Sequence, residues 1–440
     1  MQQGPKSFWD VQEALLQDSR YLQQVLRELQ RTREAPPLAF PTDQADKEAR
    51  EKEEREKRES KGNAQPPKRK FKWATAVDEH YRFDPRNAVA FPDLSLLPWW
   101  NSPSTSQENE LVLKGIAFSE GGSEGVFFLD TSQGAVVLKG SRHLATEAFA
   151  HLLCLKCHVF SPRLLPVRLQ AEGPSAMLAA LLDLDQTYLV ASKLATQTHV
   201  LLKEYVRGCT LSQLFYEKAV ALFGEGRFGE VLSSNGTRRL RELGRLLALD
   251  VLTNNSDRLP LLWNNRGNGG NLMFAGPNGI LVNIDNKVVP INGEAYPKKL
   301  EEYMTNVRSL LSTLIKNPLV EHKSFQTIRG QLLSITEYDI GERGCVEMQQ
   351  GFLQVVHGLR LGDGTEPLGK EEKRSDGEKE GEEEEEILIH LSMEEMMSWV
   401  AALRQLESAE TEGSLHLNEI GVDFVWNVCQ LFAEFKAAAA

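Results

Sequence analysis

Cysteine is scarce in this chain, and a long apolar run is missing. The five cysteines are scattered, which argues against a disulfide framework. Cys154 and Cys157 form a C-x-x-C pair in an apolar stretch, but no second Cys or His pair follows at metal spacing, so we expect buried thiols. No apolar run approaches the roughly 20 residues of a membrane helix, and MQQGPKSFWDVQEALL lacks the basic-then-apolar pattern of a signal peptide. We therefore expect a cytoplasmic protein without a membrane span.

Positive charge is also in deficit, since the formal net charge is −12. Such an acidic balance disfavours general binding to nucleic acid or to anionic membranes. Hydrophobic residues make up 41% of the chain, which is ample for a core, and 440 residues leave room for one large bilobal domain or two smaller ones. Nothing in the composition indicates an oligomeric state.

The most informative stretch ends at Asp285. An Asp-Arg pair, Asp257 and Arg258, precedes Asn271, which opens a short apolar run. A Pro-Asn-Gly turn, a second apolar run and Asp285 follow. Turn residues between two β-rich runs predict a hairpin, which would bring Asn271 and Asp285 side by side. One carboxylate that orients a hydroxyl, and an amide and a second carboxylate that hold magnesium, are what phosphoryl transfer requires.

A glycine-rich turn upstream has the composition of a phosphate-binding loop. Its glycines are Gly121, Gly122 and Gly125, and it lies between predicted strands at 111–119 and 125–130. Glycine lets backbone amides approach phosphates because no Cβ stands in the way. Taken alone, such a turn is more often only a hairpin turn.

Lys139 ends the next predicted strand, 135–139, where its ammonium can reach the α and β phosphates of a nucleotide. Taken alone, it is more often a strand-end lysine that reaches solvent. A predicted helix at 143–158 carries Glu147 in its first turns, and Glu147 is the candidate partner of Lys139. The segment 200–208 looks like a strand that runs into a linker, which is the layout of a hinge between two lobes.

Five segments in this order resemble the catalytic domain of actin-fragmin kinase. They are Lys139-Gly140-Ser141, Glu147-Ala148-Phe149-Ala150, LGRLLALDVLTNNSDRLP, GN-GG-N, and Ile284-Asp285-Asn286. This atypical protein kinase family includes a kinase domain of plant tubulin kinases and is more distantly similar to phosphatidylinositol kinases. The resemblance covers about 111–290.

The resemblance implies a bilobal, protein-kinase-like α+β fold, in which a small β-rich lobe and a larger helical lobe follow an N-terminal helix. It implies ATP- and Mg²⁺-dependent transfer of the γ-phosphate to a Ser or Thr hydroxyl of a protein, with actin or tubulin as the first candidates. The residues to which it assigns roles are Lys139 for the ATP phosphates, Glu147 as its partner, Glu204, Tyr205 and Val206 as the hinge, Asp257 as the catalytic carboxylate, and Asn271 and Asp285 as metal ligands.

Other interpretations stay open. Asp250 competes with Asp257, although it follows an apolar helix and fits better as a residue that pins the end of that helix. The segment LPLLWNNRGNGG separates Asp257 from Asn271, as a similar insertion does in the actin-fragmin and tubulin kinases, and the chain has no Asp-Phe-Gly or Ala-Pro-Glu. The alternatives are a lipid or small-molecule kinase, a nucleotide-binding pseudokinase, and a non-enzymatic scaffold.

The chain outside the motifs is predicted from periodicity and composition. We expect an amphipathic helix within 1–35, a charged disordered linker at 36–72, and a kinase-like domain at 73–361, with its small lobe at about 105–205 and its large lobe from about 206. An acidic disordered loop at 362–386 and helices at 387–440 that complete the large lobe follow.

Overall fold

The computed structural model describes residues 7–32, 70–76, 81, 83–91, 94, 97, 108–119, 125–141, 143–170, 172–185, 187–194, 197–224, 232–276, 278–362, 387–406 and 419–439. The chain forms two compact units in the α+β class that the sequence predicts. The larger unit comprises residues 1–26, 142–166 and 209–440, and the smaller unit comprises residues 27–141 and 167–208. Within the described ranges, every helix is too short or too polar to span a lipid bilayer.

The helices, in chain order, are α1 (Phe8–Asp18), α2 (Arg20–Thr32), α3 (Leu144–Lys156), α4 (Glu172–Leu184), α5 (Leu189–Leu194), α6 (Tyr216–Phe223), α7 (Ser234–Thr253), α8 (Pro297–Lys316), α9 (Lys323–Thr336), α10 (Gly341–Gly358), α11 (Met393–Arg404) and α12 (Val422–Ala439). The strands are β1 (Lys70–Thr75), β2 (Glu108–Ser119), β3 (Val126–Thr131), β4 (Gly134–Gly140), β5 (Leu164–Arg168), β6 (His199–Glu204), β7 (Gly208–Thr210), β8 (Leu272–Ala275), β9 (Ile280–Asn283), β10 (Leu359–Gly362) and β11 (Ile389–Ser392).

A sheet in the order β1-β2-β3-β4-β6-β5 organises the smaller unit. The strands predicted at 111–119, 125–130 and 135–139 are present as the antiparallel run β2, β3 and β4. The segment 83–91 lies along β4, where the Phe91 amide donates to the Ala135 carbonyl at 3.0 Å. Its Ala88 packs in a small apolar cluster with Ala135 and Tyr205. This cluster lies at the start of β4 and includes Tyr205 of the predicted hinge.

Two long helices, α7 and α10, form the centre of the larger unit and touch through glycines. A Cβ at Gly244 of α7 would lie 1.9 Å from the Met348 carbonyl oxygen, and one at Gly351 of α10 would lie 1.9 Å from the Arg241 carbonyl oxygen. The backbones therefore approach more closely than any larger residue allows. Helix α7 ends at Asn254, whose φ of 52° turns the chain toward the Asp-Arg segment.

The single N-terminal helix predicted within 1–35 is two helices, α1 and α2, with a break at Ser19. Ser19 has extended backbone angles, and its hydroxyl accepts a hydrogen bond from the Leu22 amide at 3.2 Å. The same hydroxyl lies 3.1 Å from Nδ1 of His158. The apolar face is present as predicted, because Leu15, Leu16 and Leu22 are buried. The hydrogen bond from Leu22 is local, whereas the contact with His158 joins residues 139 positions apart, which no local pattern predicts.

Helix α10 ends within the range predicted as the large lobe of the kinase-like domain. The chain leaves α10 at Gly358 and enters β10, which pairs in parallel with β11. The helices predicted at 387–440 are present as α11 and α12, and α8 and α9 lie in the range of the predicted helical lobe. The predicted acidic loop and most of the predicted linker lie outside the described residues, and β1 begins at Lys70, inside the range predicted as linker. Cys154 and Cys157 are buried free thiols, as predicted.

Candidate active site

The predicted hairpin is present as the antiparallel pair β8 and β9, in which Leu272 pairs with Asn283. Just beyond that pair, at the open end of the hairpin, the Ile284 amide donates to the Asn271 carbonyl at 3.4 Å. Asn271 therefore enters the hairpin where Ile284 leaves it, and Asp285 follows at once. The structure thus brings the two predicted metal ligands to adjoining chain ends.

Asn271 is held by the turn that precedes β8. It ends a short 3₁₀ turn, Gly269–Asn271, whose cap is Asn268. Oδ1 of Asn268 accepts from the Gly270 amide at 2.9 Å, and its Nδ2 donates to Oδ1 of Asn271 at 3.3 Å. An amide oxygen has two lone pairs, and this hydrogen bond uses one of those of Oδ1 of Asn271.

Asp285 adopts a left-handed backbone conformation, with φ of 61°. Such angles are uncommon for residues other than glycine, and they concentrate at ligand-binding sites. The next residue, Asn286, is buried and anchored at both ends of its side chain. Its Oδ1 accepts from Nη2 of Arg258 at 2.6 Å, and its Nδ2 donates to Oγ of Ser161 at 3.1 Å. The anchored neighbour holds Asp285 in its strained position.

The two competing carboxylates, Asp250 and Asp257, have opposite surroundings. Asp250 and Arg258 are each 1% exposed and form a direct ion pair inside the larger unit. Burial raises the pKa of Asp250 to about 6, although the Arg258 guanidinium acts in the opposite direction. The side chain of Asp257 is 50% exposed. The geometry therefore leaves Asp257 open to a substrate and gives Asp250 a structural partner.

Sequence reasoning missed Lys287. Its Nζ lies 2.8 Å from Oδ2 of Asp257, and its side chain is 35% exposed. A cation beside an open carboxylate can hold that carboxylate in one orientation and can also meet a phosphate. The signal in the sequence was its place two residues after Asp285, in Ile284-Asp285-Asn286-Lys287.

In the smaller unit, Lys139 lies in the pairing between β3, β4 and β6. It is opposite Val126 on one side and Leu201 on the other. Gly125 directly precedes β3, has a φ of 88°, and accepts from the Gly140 amide at 3.2 Å. The end of the predicted glycine-rich turn therefore lies next to the strand end that carries Lys139. Gly121 and Gly122 lie outside the described residues.

The predicted hinge follows β6. Glu204 ends that strand, and Tyr205 and Val206 have no regular secondary structure before β7 begins. The Tyr205 hydroxyl donates to the Pro85 carbonyl, and its ring meets that of Phe128 edge-on at 6.1 Å between centroids. Burial raises the pKa of Tyr205 to about 12, so the hydroxyl keeps its proton. The hinge is thus anchored from the segment 83–91.

Glu147 lies in the first turn of α3 and is 3% exposed. Its pairing with Lys139 stays a prediction.

The donor set suits magnesium. Within the described ranges, no group of three or more His, Cys, Asp or Glu side chains is arranged to hold a metal ion. Mg²⁺ is commonly bound through one or two carboxylates together with substrate phosphates and water. Asn271 and Asp285, two oxygen donors at adjoining chain ends, fit that pattern.

The comparisons with known proteins agree with this geometry. Residues 107–356 match the family model "Actin-fragmin kinase, catalytic". The chain is also 26% identical over 257 residues to a Dictyostelium discoideum protein named "Putative actin-fragmin kinase". That alignment takes in 53% of this chain and 58% of the relative, so the chain spans somewhat more than half of the relative's length. Because the family model matches more than half of its residues, the chain belongs to the actin-fragmin kinase catalytic family.

Proposed function

We propose that this chain is an ATP-dependent protein kinase of the actin-fragmin kinase type, which acts in the cytoplasm on a Ser or Thr hydroxyl of a cytoskeletal protein such as actin or tubulin. The observation that carries the proposal is the difference in surroundings among three aspartates of the larger unit. Asp257 is open and paired with Lys287, Asp250 is buried against Arg258, and Asp285 adjoins Asn271.

The roles follow from the chemistry of these groups. Asp257 orients the acceptor hydroxyl and takes its proton, while Lys287 keeps the carboxylate in position. Asn271 and Asp285 hold Mg²⁺, which neutralises the phosphates of ATP when it is bound.

The residues of the smaller unit bind the nucleotide. Lys139 contacts the α and β phosphates with Glu147 as its partner, and the glycine-rich turn presents backbone amides to them. Glu204, Tyr205 and Val206 supply backbone groups to the adenine.

The test is phosphate transfer from labelled Mg-ATP to purified actin, tubulin and a generic basic protein. We expect transfer to a cytoskeletal protein. Asp257→Ala should lower this transfer by about 10²- to 10⁴-fold, the range for loss of a general base. Asp285→Ala should abolish it. Asp183→Ala is the matched control, because Asp183 is an exposed aspartate on α4. This control should keep wild-type transfer.

Each other outcome identifies an alternative. Nucleotide binding without transfer to any protein would replace the proposal with a pseudokinase or a kinase for a non-protein substrate. Transfer that survives Asp257→Ala would show that Asp257 is not the base.

A further inference from the structure

Gln12, on the N-terminal helix α1, is fully buried although it is polar. It lies outside residues 107–356, the part of the chain that matches the kinase family. Its Oε1 accepts from the Leu164 amide at 2.9 Å and lies 2.7 Å from Nε2 of His151, which is on α3. Helix α1 therefore contributes a polar group to the interior of the larger unit.

The contacts continue from His151 to the candidate metal site. Nδ1 of His151 lies 3.0 Å from Oγ of Ser161, and the same oxygen accepts from Nδ2 of Asn286 at 3.1 Å. Oδ1 of Asn286 in turn accepts from Nη2 of Arg258 at 2.6 Å. None of these side chains is more than 6% exposed. Asn286 follows the metal ligand Asp285, and Arg258 follows the base Asp257.

The donors and acceptors fix a single direction along this series. Backbone N–H and guanidinium groups only donate, so Leu164 requires the oxygen of Gln12 and Arg258 requires the oxygen of Asn286. Because Oε1 of Gln12 only accepts, Nε2 of His151 carries a proton, and in the neutral imidazole Nδ1 then accepts from the Ser161 hydroxyl. Each group from Arg258 to Gln12 thus donates to the next, and bonds aligned in this way strengthen one another.

The two polar atoms of the Gln12 side chain differ in their hydrogen bonding. Nε2 of Gln12 is buried and has no hydrogen-bond partner among the described residues. An unsatisfied buried donor is unfavourable, so a residue needed only to fill this space would be better as Leu or Met. The oxygen, which receives two donors, is the part of the side chain that the structure uses.

We propose that Gln12 is a positioning residue, which sets the place of the Asp285–Asn286 segment through His151 and Ser161. Helix α1, which precedes the family's catalytic region, therefore helps to position the site. The effect on metal binding rests on the proposed function, whereas the effect on Asn286 does not.

The first measurement is therefore spectroscopic and independent of activity. In the ¹⁵N-labelled full-length chain, the side-chain amide signals of Asn286 are identified by their loss in Asn286→Asp, and the imidazole signals of His151 by their loss in His151→Gln. We expect His151 to be protonated at Nε2, and Gln12→Met to shift both sets of signals. The control, Leu15→Ala, removes a buried apolar side chain from the same helix and should leave both sets in place. Unmoved Asn286 signals in Gln12→Met would overturn the proposal.

The second measurement follows the metal. Free Mn²⁺, a magnetic substitute for Mg²⁺, is titrated by electron paramagnetic resonance with a non-hydrolysable ATP analogue present. Loss of outer-shell partners commonly weakens metal binding by about 10- to 100-fold. We therefore expect the affinity for Mn²⁺ to fall by about 10-fold in Ser161→Ala and by about 3-fold in Gln12→Met. The double variant should match Ser161→Ala, because the connection is already broken.

Two outcomes count against distinct claims. If the two losses of Mn²⁺ affinity multiply in the double variant, Gln12 affects binding only through the overall stability of the protein, and the proposal is wrong. A wild-type chain that binds no Mn²⁺–nucleotide would instead contradict the proposed function, and the Asn286 signals would still decide whether Gln12 positions that segment.

Discussion

Single side chains distinguish the two candidate acids of this site. Asp250 and Asp257 lie on the same short stretch, yet one is buried against Arg258 and the other is open beside Lys287. A buried carboxylate with a guanidinium partner is held by that partner, whereas an exposed one can exchange its partner for a substrate hydroxyl. The ion pair of Asp257 is therefore better suited to catalysis than to stability.

Lys287→Ala is expected to lower the turnover number by about 10- to 100-fold, because Asp257 loses its orienting cation and the phosphates lose a nearby positive charge. Global stability should change by less than about 1 kcal/mol, the usual size of an exposed ion pair. Steady-state transfer kinetics and urea unfolding of the same preparations measure both effects. Lys287→Arg retains the charge and should recover part of the activity. A large loss of stability with normal turnover would contradict this role.

The opposite pattern is expected at Asp250. Asp250→Ala leaves the Arg258 guanidinium buried without its carboxylate, which costs about 3–5 kcal/mol of unfolding free energy. Urea unfolding measures this loss, and Asp257→Ala is the natural comparison because its side chain is half exposed. If the two variants unfold at the same urea concentration, the buried ion pair does not contribute more to the unfolding free energy than the exposed one.

At the scale of whole elements, the close contact between α7 and α10 fixes the helix that leads into the site. Gly244→Ala would place a Cβ 1.9 Å from the Met348 carbonyl oxygen, so the two helices must separate. We expect a loss of about 3 kcal/mol or more in unfolding free energy. Gly330→Ala is the matched control on α9, since a Cβ there meets no atom within 4 Å.

That control should gain about 0.5–1 kcal/mol, because alanine is the better helix former. Thermal and urea unfolding of both variants test the opposite signs. A Gly244→Ala protein as stable as the wild type would show that the helices do not need their present spacing.

Elements built from neighbouring residues could be predicted from the sequence, and those that depend on distant partners could not. The hairpin of β8 and β9 follows from local turn chemistry, so Asn271 and Asp285 were placed at its ends in advance. At the break at Ser19, the hydrogen bond from the Leu22 amide to the Ser19 hydroxyl is local, but the second contact of that hydroxyl, with His158, is distant in sequence. Gln12 and His151 are 139 residues apart, and no local pattern connects them.

On the scale of the whole molecule, segments outside the family match complete the larger unit. Residues 7–26 and the last helices belong to the same compact unit as α7. Glu395 of α11 accepts a charged hydrogen bond from Lys156 of α3 at 2.7 Å, and Trp399 packs edge-on against Phe149 at 5.7 Å between centroids. Helix α3 is thus enclosed by both ends of the chain, so the stability of the unit depends on contacts that the family's catalytic region alone does not supply.

His158, at the end of α3, makes that stability sensitive to acid. Burial lowers its pKa to about 4, and the positive charges of Arg245 and Lys156 act in the same direction. Its ordinary value is about 6.5, so between these values the unfolded chain binds a proton that the folded chain does not. The stability that the neutral ring contributes is therefore complete above about pH 6.5 and is lost as the pH falls toward 4.

His158→Asn should remove this pH dependence. Asparagine tolerates the left-handed backbone of this position, where φ is 55°, and its amide does not titrate. From pH 7.5 to pH 5, the wild type should lose about 2 kcal/mol more unfolding free energy than the variant. Urea unfolding of both proteins at the two pH values measures this difference, and the other titrating groups cancel because both proteins share them. Equal losses in the two proteins would mean that His158 is protonated without cost in the folded state, and that the contact between Ser19 and His158 does not depend on a neutral ring.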